Sequence, residues 1–139
     1  MTKKHSISLR VRYEETDQMR VVYYAKYLVW FEVARTEFFR ERGLDYREME
    51  DKDKIFLPVV EVYCRYRAPL TYDDIVTITT EIKDIGAARI SFQYEVKKDD
   101  KVIATGSTTH AFVNEQGSPI PVPEKARRFL SDFKKQDAA

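Results

Sequence analysis

The chain has 139 residues, of which 43% are hydrophobic and 34% charged, with 24 Lys and Arg against 23 Asp and Glu for a net charge of +1. This length suits a single domain over residues 1–139 with a real apolar core, and it excludes a disordered chain. The near-neutral balance excludes the global basic field of a nucleic-acid binder, and one cysteine (Cys64) with two histidines (His5, His110) excludes a disulfide framework or a Cys- or His-rich metal site.

No apolar run approaches the ~18 residues of a membrane helix. No apolar stretch follows the basic residues near Met1, so a cytoplasmic protein without membrane attachment is the expectation. Ile7 to Tyr13 alternates apolar and polar, the pattern of a half-buried strand. Glu14 to Arg20 is a polar break. From Tyr24 to Arg42 the spacing predicts a long helix, with Tyr24, Tyr27, Leu28, Phe31, Ala34 and Phe38 recurring every three or four residues. Val29, Trp30, Val33 and Phe39 widen the apolar zone around most of its girth, which predicts deep burial. Gly43 is the expected stop.

Arg47 to Lys54 reads as a charged connector. Strands are then expected at Phe56 to Tyr66, Ile75 to Ile82, Ile90 to Val96 and Val102 to Val113, with a charged turn from Lys97 to Lys101. Pro119 to Pro123 is extended and leads into a short terminal helix with Ala126, Phe129, Leu130 and Phe133 on its apolar face. The fold class is α+β, an antiparallel sheet packed on one long helix. Such a sheet leaves an edge and a face to cover, so association through the sheet is expected.

The phosphate-loop, dinucleotide and nucleophile-elbow patterns are all absent from the sequence. Cys64 and His110 fall inside strands, where ordinary packing and a hydrogen-bonded structural role are the expectations. Glu32 and Arg35 are spaced to pair on the helix. Arg65, Arg67 and Arg89 are strand-associated cations. The remaining candidate is the polar break. Asp17 there reads as an N-cap or Asx-turn carboxylate, or as a functional one. The functional reading places it beside the unpaired first N–H groups of the helix, near Tyr24. Those groups can stabilise a carbonyl oxygen that gains charge while the carboxylate attacks or activates water.

Tyr13-x-Glu15-Thr16-Asp17-x-x-x-Val21-Val22-Tyr23-Tyr24-x-x-Tyr27, followed by Phe31-Glu32-x-Ala34-Arg35, resembles the signature of the hotdog-fold acyl-CoA thioesterases. The similar branch is that of the 4-hydroxybenzoyl-CoA thioesterase and YbgC-like proteins. The tail Phe112-Val113-Asn114-x-x-Gly117-x-Pro119-Ile120-Pro121-x-Pro123 resembles that family's ending, so the likeness spans essentially the whole chain.

The resemblance implies a hotdog fold, with the antiparallel sheet wrapped around one long central helix and a short C-terminal helix. It implies hydrolysis of an acyl-CoA to a carboxylic acid and CoA. Asp17 would act as nucleophile or general base, and the Tyr24 backbone N–H would hold the oxyanion. Tyr23, Tyr27 and Arg20 would meet the substrate, although most of the aromatic stripe Tyr23, Tyr27, Trp30 and Phe31 is core. No cofactor is implied beyond the CoA of the substrate, and the expected assembly is a homodimer or homotetramer.

The sequence departs from the family pattern at Arg20, where many relatives have Gly, at Tyr24, where the YbgC-like branch often has His, and at Lys26. The alternatives are a non-catalytic acyl-CoA-binding module and a hotdog dehydratase. The dehydratase would pair a His with a carboxylate, and neither His5 nor His110 sits in such a motif.

Overall fold

The computed structural model describes residues 4–128. Its five strands are β1 (Lys4–Arg10), β2 (Val59–Tyr66), β3 (Ile75–Ile85), β4 (Arg89–Lys98) and β5 (Lys101–Ala111). They form one sheet in the order β1-β3-β4-β5-β2, with every pairing antiparallel. The alternation read from the sequence is the alternation of burial. Val76, Ile78, Thr80 and Ile82 of β3, with Ile90, Phe92, Tyr94 and Val96 of β4, turn inward, and the residues between them are partly or wholly exposed.

Helix α1 (Lys26–Glu41) covers that inner face, burying Tyr27, Trp30, Phe31, Ala34, Phe38 and Phe39. Phe31 stacks on Tyr94 with ring centroids 4.4 Å apart, and Phe39 meets Phe92 edge-on at 5.5 Å. The sheet and helix thus form the α+β, helix-in-sheet arrangement expected of a hotdog fold. The helix stops where Gly43 takes φ +84°. The Gly43 N–H bonds to the Arg40 carbonyl and the Leu44 N–H to the Phe39 carbonyl, the paired bonds of a Schellman cap.

Several expectations need correction. Val29 and Val33 are exposed, so α1 buries one face rather than most of its girth. The charged connector holds a helix, α2 (Tyr46–Asp51). Asp45 caps it by accepting the Glu48 N–H at 3.1 Å, and Met49 anchors it in the core. The signal was Asp45-x-x-Glu48 ahead of a single apolar residue, too short a run for periodicity to register. β1 ends at Arg10, because the chain then bends to bury Val11 and enters a 3-10 turn at Tyr13–Glu15. Arg35 turns inward rather than pairing with exposed Glu32. The terminal helix is under way over 124–128 with Ala126 buried, whereas Phe129, Leu130 and Phe133 lie outside the described residues.

Inward-facing Arg35 begins a buried polar chain. Its guanidinium donates to the Tyr94 hydroxyl at 3.1 Å, Tyr94 shares a 2.6 Å hydrogen bond with Thr108, and Thr108 shares one of 2.9 Å with His110 Nε2. His110 Nδ1 lies 3.1 Å from the Leu57 carbonyl. A carbonyl only accepts, so Nδ1 carries the ring proton and Nε2 accepts from Thr108. Donation therefore runs one way, from Arg35 to the Leu57 carbonyl. This gives His110 the structural role expected from its place in a strand.

Gly106 sits on β5 beneath α1. A Cβ there would lie 2.5 Å from the Phe31 ring and 2.8 Å from the Tyr63 carbonyl. Neither neighbour can retreat, one being core and the other backbone. Gly106→Ala is expected to lower stability by about 1–3 kcal/mol through overpacking. Gly86→Ala, whose Cβ would meet only the Arg89 carbonyl at 3.7 Å, serves as the near-neutral control in the same denaturant melts.

Candidate active site

The polar break folds into a tight hairpin. Thr16 bridges Val22, the Asp17 N–H bonds to the Val21 carbonyl at 3.0 Å, and the Arg20 N–H bonds to the Asp17 carbonyl at 2.9 Å. This is a turn over Asp17 to Arg20 that ends in a left-handed residue, since Arg20 has φ +67°. Glycine is the usual occupant of that position. The hairpin hydrogen bonds hold Arg20 in that left-handed conformation. Arg20→Gly is expected to relieve the left-handed strain and raise stability by up to about 1 kcal/mol in thermal melts. A rise in KM for that variant would mark the guanidinium as a substrate contact.

Asp17 is half-buried. Its Oδ1 accepts the Met19 N–H at 2.8 Å, an Asx turn. It does not cap α1, because Ala25 occupies the N-cap and offers no side-chain acceptor. One carboxylate oxygen thus orients the group. The carboxylate borders an open groove of about 650 Å³ that is also lined by Tyr13, Thr16, Gln18, Arg20 and Tyr72. Tyr13 and Tyr72 meet edge-on at 5.6 Å, and both are largely exposed.

The hairpin runs directly into the helix start. The Tyr23 N–H bonds to the Glu15 carbonyl and the Lys26 N–H to the Tyr23 carbonyl. Between them, the Tyr24 N–H has no acceptor among the described residues. The Tyr24 carbonyl is pinned from β2 by the Tyr66 hydroxyl at 2.8 Å. The Tyr23 and Tyr24 rings lie 4.7 Å apart at the surface. The Tyr23 hydroxyl is pushed up, first by its hydrogen bond with Tyr24 and then by that residue's charge, with smaller contributions from burial and from the Asp17 charge. Asp17, Tyr23 and Tyr24 therefore share one neighbourhood.

Tyr27 is placed differently. It is 3% exposed and packs between Trp30 and Tyr66, each with ring centroids 5.0 Å away. Burial and the neighbouring Cys64 push its hydroxyl up to about 12. The structure thus brings Asp17, Arg20, Tyr23 and Tyr24 together at the surface and sets Tyr27 beneath them, behind the tyrosine that pins Tyr24. Cys64 is half-buried on β2, and burial pushes its thiol up, away from thiolate chemistry. The sequence reading missed the anchoring by Tyr66, the Tyr13–Tyr72 wall and a role for Glu15. Glu15 was visible as part of the motif, but nothing in the spacing indicates its partners.

No helix among the described residues is long and apolar enough to cross a membrane. The family model of the thioesterase-like superfamily matches residues 11–130. The chain is 27% identical over 130 residues to the acyl-CoA thioesterase YbgC of Haemophilus influenzae, covering 93% of this chain and 96% of that protein. Among solved structures it resembles the gentisyl-coenzyme A thioesterase BH1999 with a TM-score of 0.85 and 30% identity, over 91% of this chain and 99% of that one. The DHNA-CoA thioesterase of Staphylococcus aureus gives a TM-score of 0.83 and 28% identity, over 97% of this chain and 89% of that one. The family model spans the hairpin, the helix and strands β2 to β5, and the chain belongs to the hotdog-fold thioesterase-like superfamily.

Proposed function

We propose that the protein is an acyl-CoA thioesterase, hydrolysing an acyl-CoA to a carboxylic acid and CoA. The observation that supports the reading is the segment ahead of α1, which holds both an oriented carboxylate on the hairpin and, just before the N-cap Ala25, the Tyr24 backbone N–H with no acceptor among the described residues. The thioester carbonyl oxygen would accept from the Tyr24 N–H, which lies at the positive end of the helix dipole. The free side of the Asp17 carboxylate would attack the carbonyl carbon or take a proton from an attacking water. The thiolate leaves readily, since a thiol has a pKa of only ~8.5, so no strong general acid is required. The Tyr24 side chain is dispensable in this scheme, which is consistent with its replacing a histidine found in relatives. Arg20 and Tyr23 would flank the substrate, with Tyr27 backing the wall.

The working form we propose is a homodimer or homotetramer. β2 is one of the sheet's two edge strands, paired among the described residues with β5, and Val59, Val62, Tyr63 and Tyr66 on it are exposed. An apolar, unpaired edge of this kind invites a second copy to pair with it. The activity is tested by following release of free CoA thiol from a panel of alkyl and aryl acyl-CoAs. Binding without release across the panel would sink the enzymatic reading in favour of a binding module.

A further inference from the structure

Glu15 is a carboxylate inside the fold, 2% exposed, two residues ahead of Asp17. Its Oε2 accepts the Trp30 indole N–H at 2.8 Å, and its Oε1 accepts the Arg12 backbone N–H at 2.8 Å. The Arg12 guanidinium stands 3.5 Å from Oε2. Burial by itself would raise the carboxyl's pKa, but the hydrogen bonds from Arg12 and Trp30 outweigh it and hold the group below the ordinary carboxylate range. Burying an anion is costly, and a chain that keeps one needs what only the anion supplies. Here that is a rigid plane with acceptors at both corners and no donor. It ties together Arg12, which caps the 3-10 turn after β1, the base of the hairpin, and α1.

Glu15 also bonds through its backbone. Its carbonyl accepts the Tyr23 N–H at 2.8 Å. One residue therefore leads to both halves of the proposed site. Along the chain it is two positions from Asp17. Across the hairpin it holds Tyr23, whose next peptide carries the open Tyr24 N–H. Its bond to Trp30, in the second turn of α1, sets the base of the hairpin against the helix itself.

We infer that, within the thioesterase reading above, Glu15 is a positioning residue that fixes the Asp17 carboxylate relative to the helix start at Tyr24. It does not meet the substrate and acts through the hairpin.

Glu15→Gln keeps the size of the side chain but puts an NH2 against one of two donors, the Trp30 indole or the Arg12 N–H. One anchor is lost and the hairpin shifts. A displacement of about 1 Å costs up to ~100-fold in rate. The expected result is a kcat lowered about 10- to 100-fold with KM within about twofold, in protein whose thermal transition shows it fully folded at the assay temperature. Trp30→Phe removes the same bond from the helix side and is expected to give the same kcat-selective loss. Added to Asp17→Asn, Glu15→Gln is expected to cost far less than it does in the wild type, because the group it positions is already gone.

A folded Glu15→Gln with wild-type kcat overturns the proposal. So does an equal fold-loss on the Asp17→Asn background, or failure of both Glu15→Gln and Trp30→Phe to fold, which would make Glu15 purely structural. Failure of the underlying reading is told apart by Asp17→Asn alone, which would then keep full turnover with Glu15 untouched.

Discussion

Asp17→Asn is expected to lower the rate of acyl-CoA hydrolysis by about 10²–10⁴-fold, the range a positioned general base contributes. The substitution is nearly isosteric. The asparagine side-chain oxygen can still accept the Met19 N–H that Asp17 Oδ1 accepts at 2.8 Å, so the Asx turn and the hairpin survive. What disappears is the charge. An amide neither attacks a carbonyl carbon efficiently nor takes a proton from water. Substrate contacts through Arg20 and Tyr23 remain, and so does the open Tyr24 N–H. KM should therefore move little while kcat falls. Thiol release under saturating acyl-CoA, with a binding measurement on the same variant, reads both. Turnover within a few-fold of the wild type would remove Asp17 from the chemistry and leave the groove as a binding surface.

The second expected result is a loss of stability in mild acid that belongs to His110. The imidazole is fully buried, and burial pushes its pKa down from 6.5 to about 4, with the Arg35 charge acting in the same direction and the Leu57 carbonyl against it. The hydrogen-bond directions agree. Nε2 accepts from Thr108, so a proton on Nε2 would turn that bond round and leave the Thr108 hydroxyl hydrogen without its acceptor.

The folded pKa is therefore depressed below the unfolded one. At pH above 6.5 both states are neutral and the contribution to stability is complete. As the pH falls from 6.5 toward 4, the unfolded chain takes up the proton and the folded one does not. Stability then drops, by about 3 kcal/mol in all, at 1.36 kcal/mol per unit of pKa difference. Glu15 and Asp74, whose carboxyls lie below the ordinary range, lose their contribution only at lower pH, so the upper part of the window reports on the histidine. Denaturant melts from pH 8 to pH 4.5 check this. His110→Asn should be less stable at neutral pH and show a flatter profile through the same window. A wild-type curve that stays flat to pH 4.5 would contradict the assignment.

These two results rest on residues that differ in how legible they were. His110 lies in a strand and reads as a buried side chain, and the strands are legible because period-two alternation is a local property. Asp17 was visible as a carboxylate in the one polar break ahead of the long helix, and the motif around it carried the family resemblance. The end of α1 was legible too, because a Schellman cap needs a left-handed residue and Gly43 supplies one cheaply.

The failures have physical reasons as well. Val29 and Val33 are apolar but face outward, since hydrophobicity marks what can be buried and not what is. Helix α2 has one buried anchor, Met49, among charges, so its cap was the only signal. The sequence marks β2 as a strand but does not place it, and the structure sets it at an edge of the sheet with Val59, Val62, Tyr63 and Tyr66 exposed.

By itself, the sequence determined the class of the fold, the presence and the C-terminal stop of its long helix, the alternating strands and the segment that holds the candidate carboxylate, whereas the helix starts at Lys26, two residues after the expected Tyr24. All of these follow from interactions between residues a few positions apart. The tertiary structure alone decided the shape of the site. Arg20 in a left-handed conformation contradicts its own preference and is intelligible only from the hairpin bonds around it. The Tyr24 carbonyl is pinned by a tyrosine 42 residues away, and Glu15 meets the helix 15 residues on, through the Trp30 indole. Contacts of that kind are set by how the sheet and helix pack, and no local spacing records them.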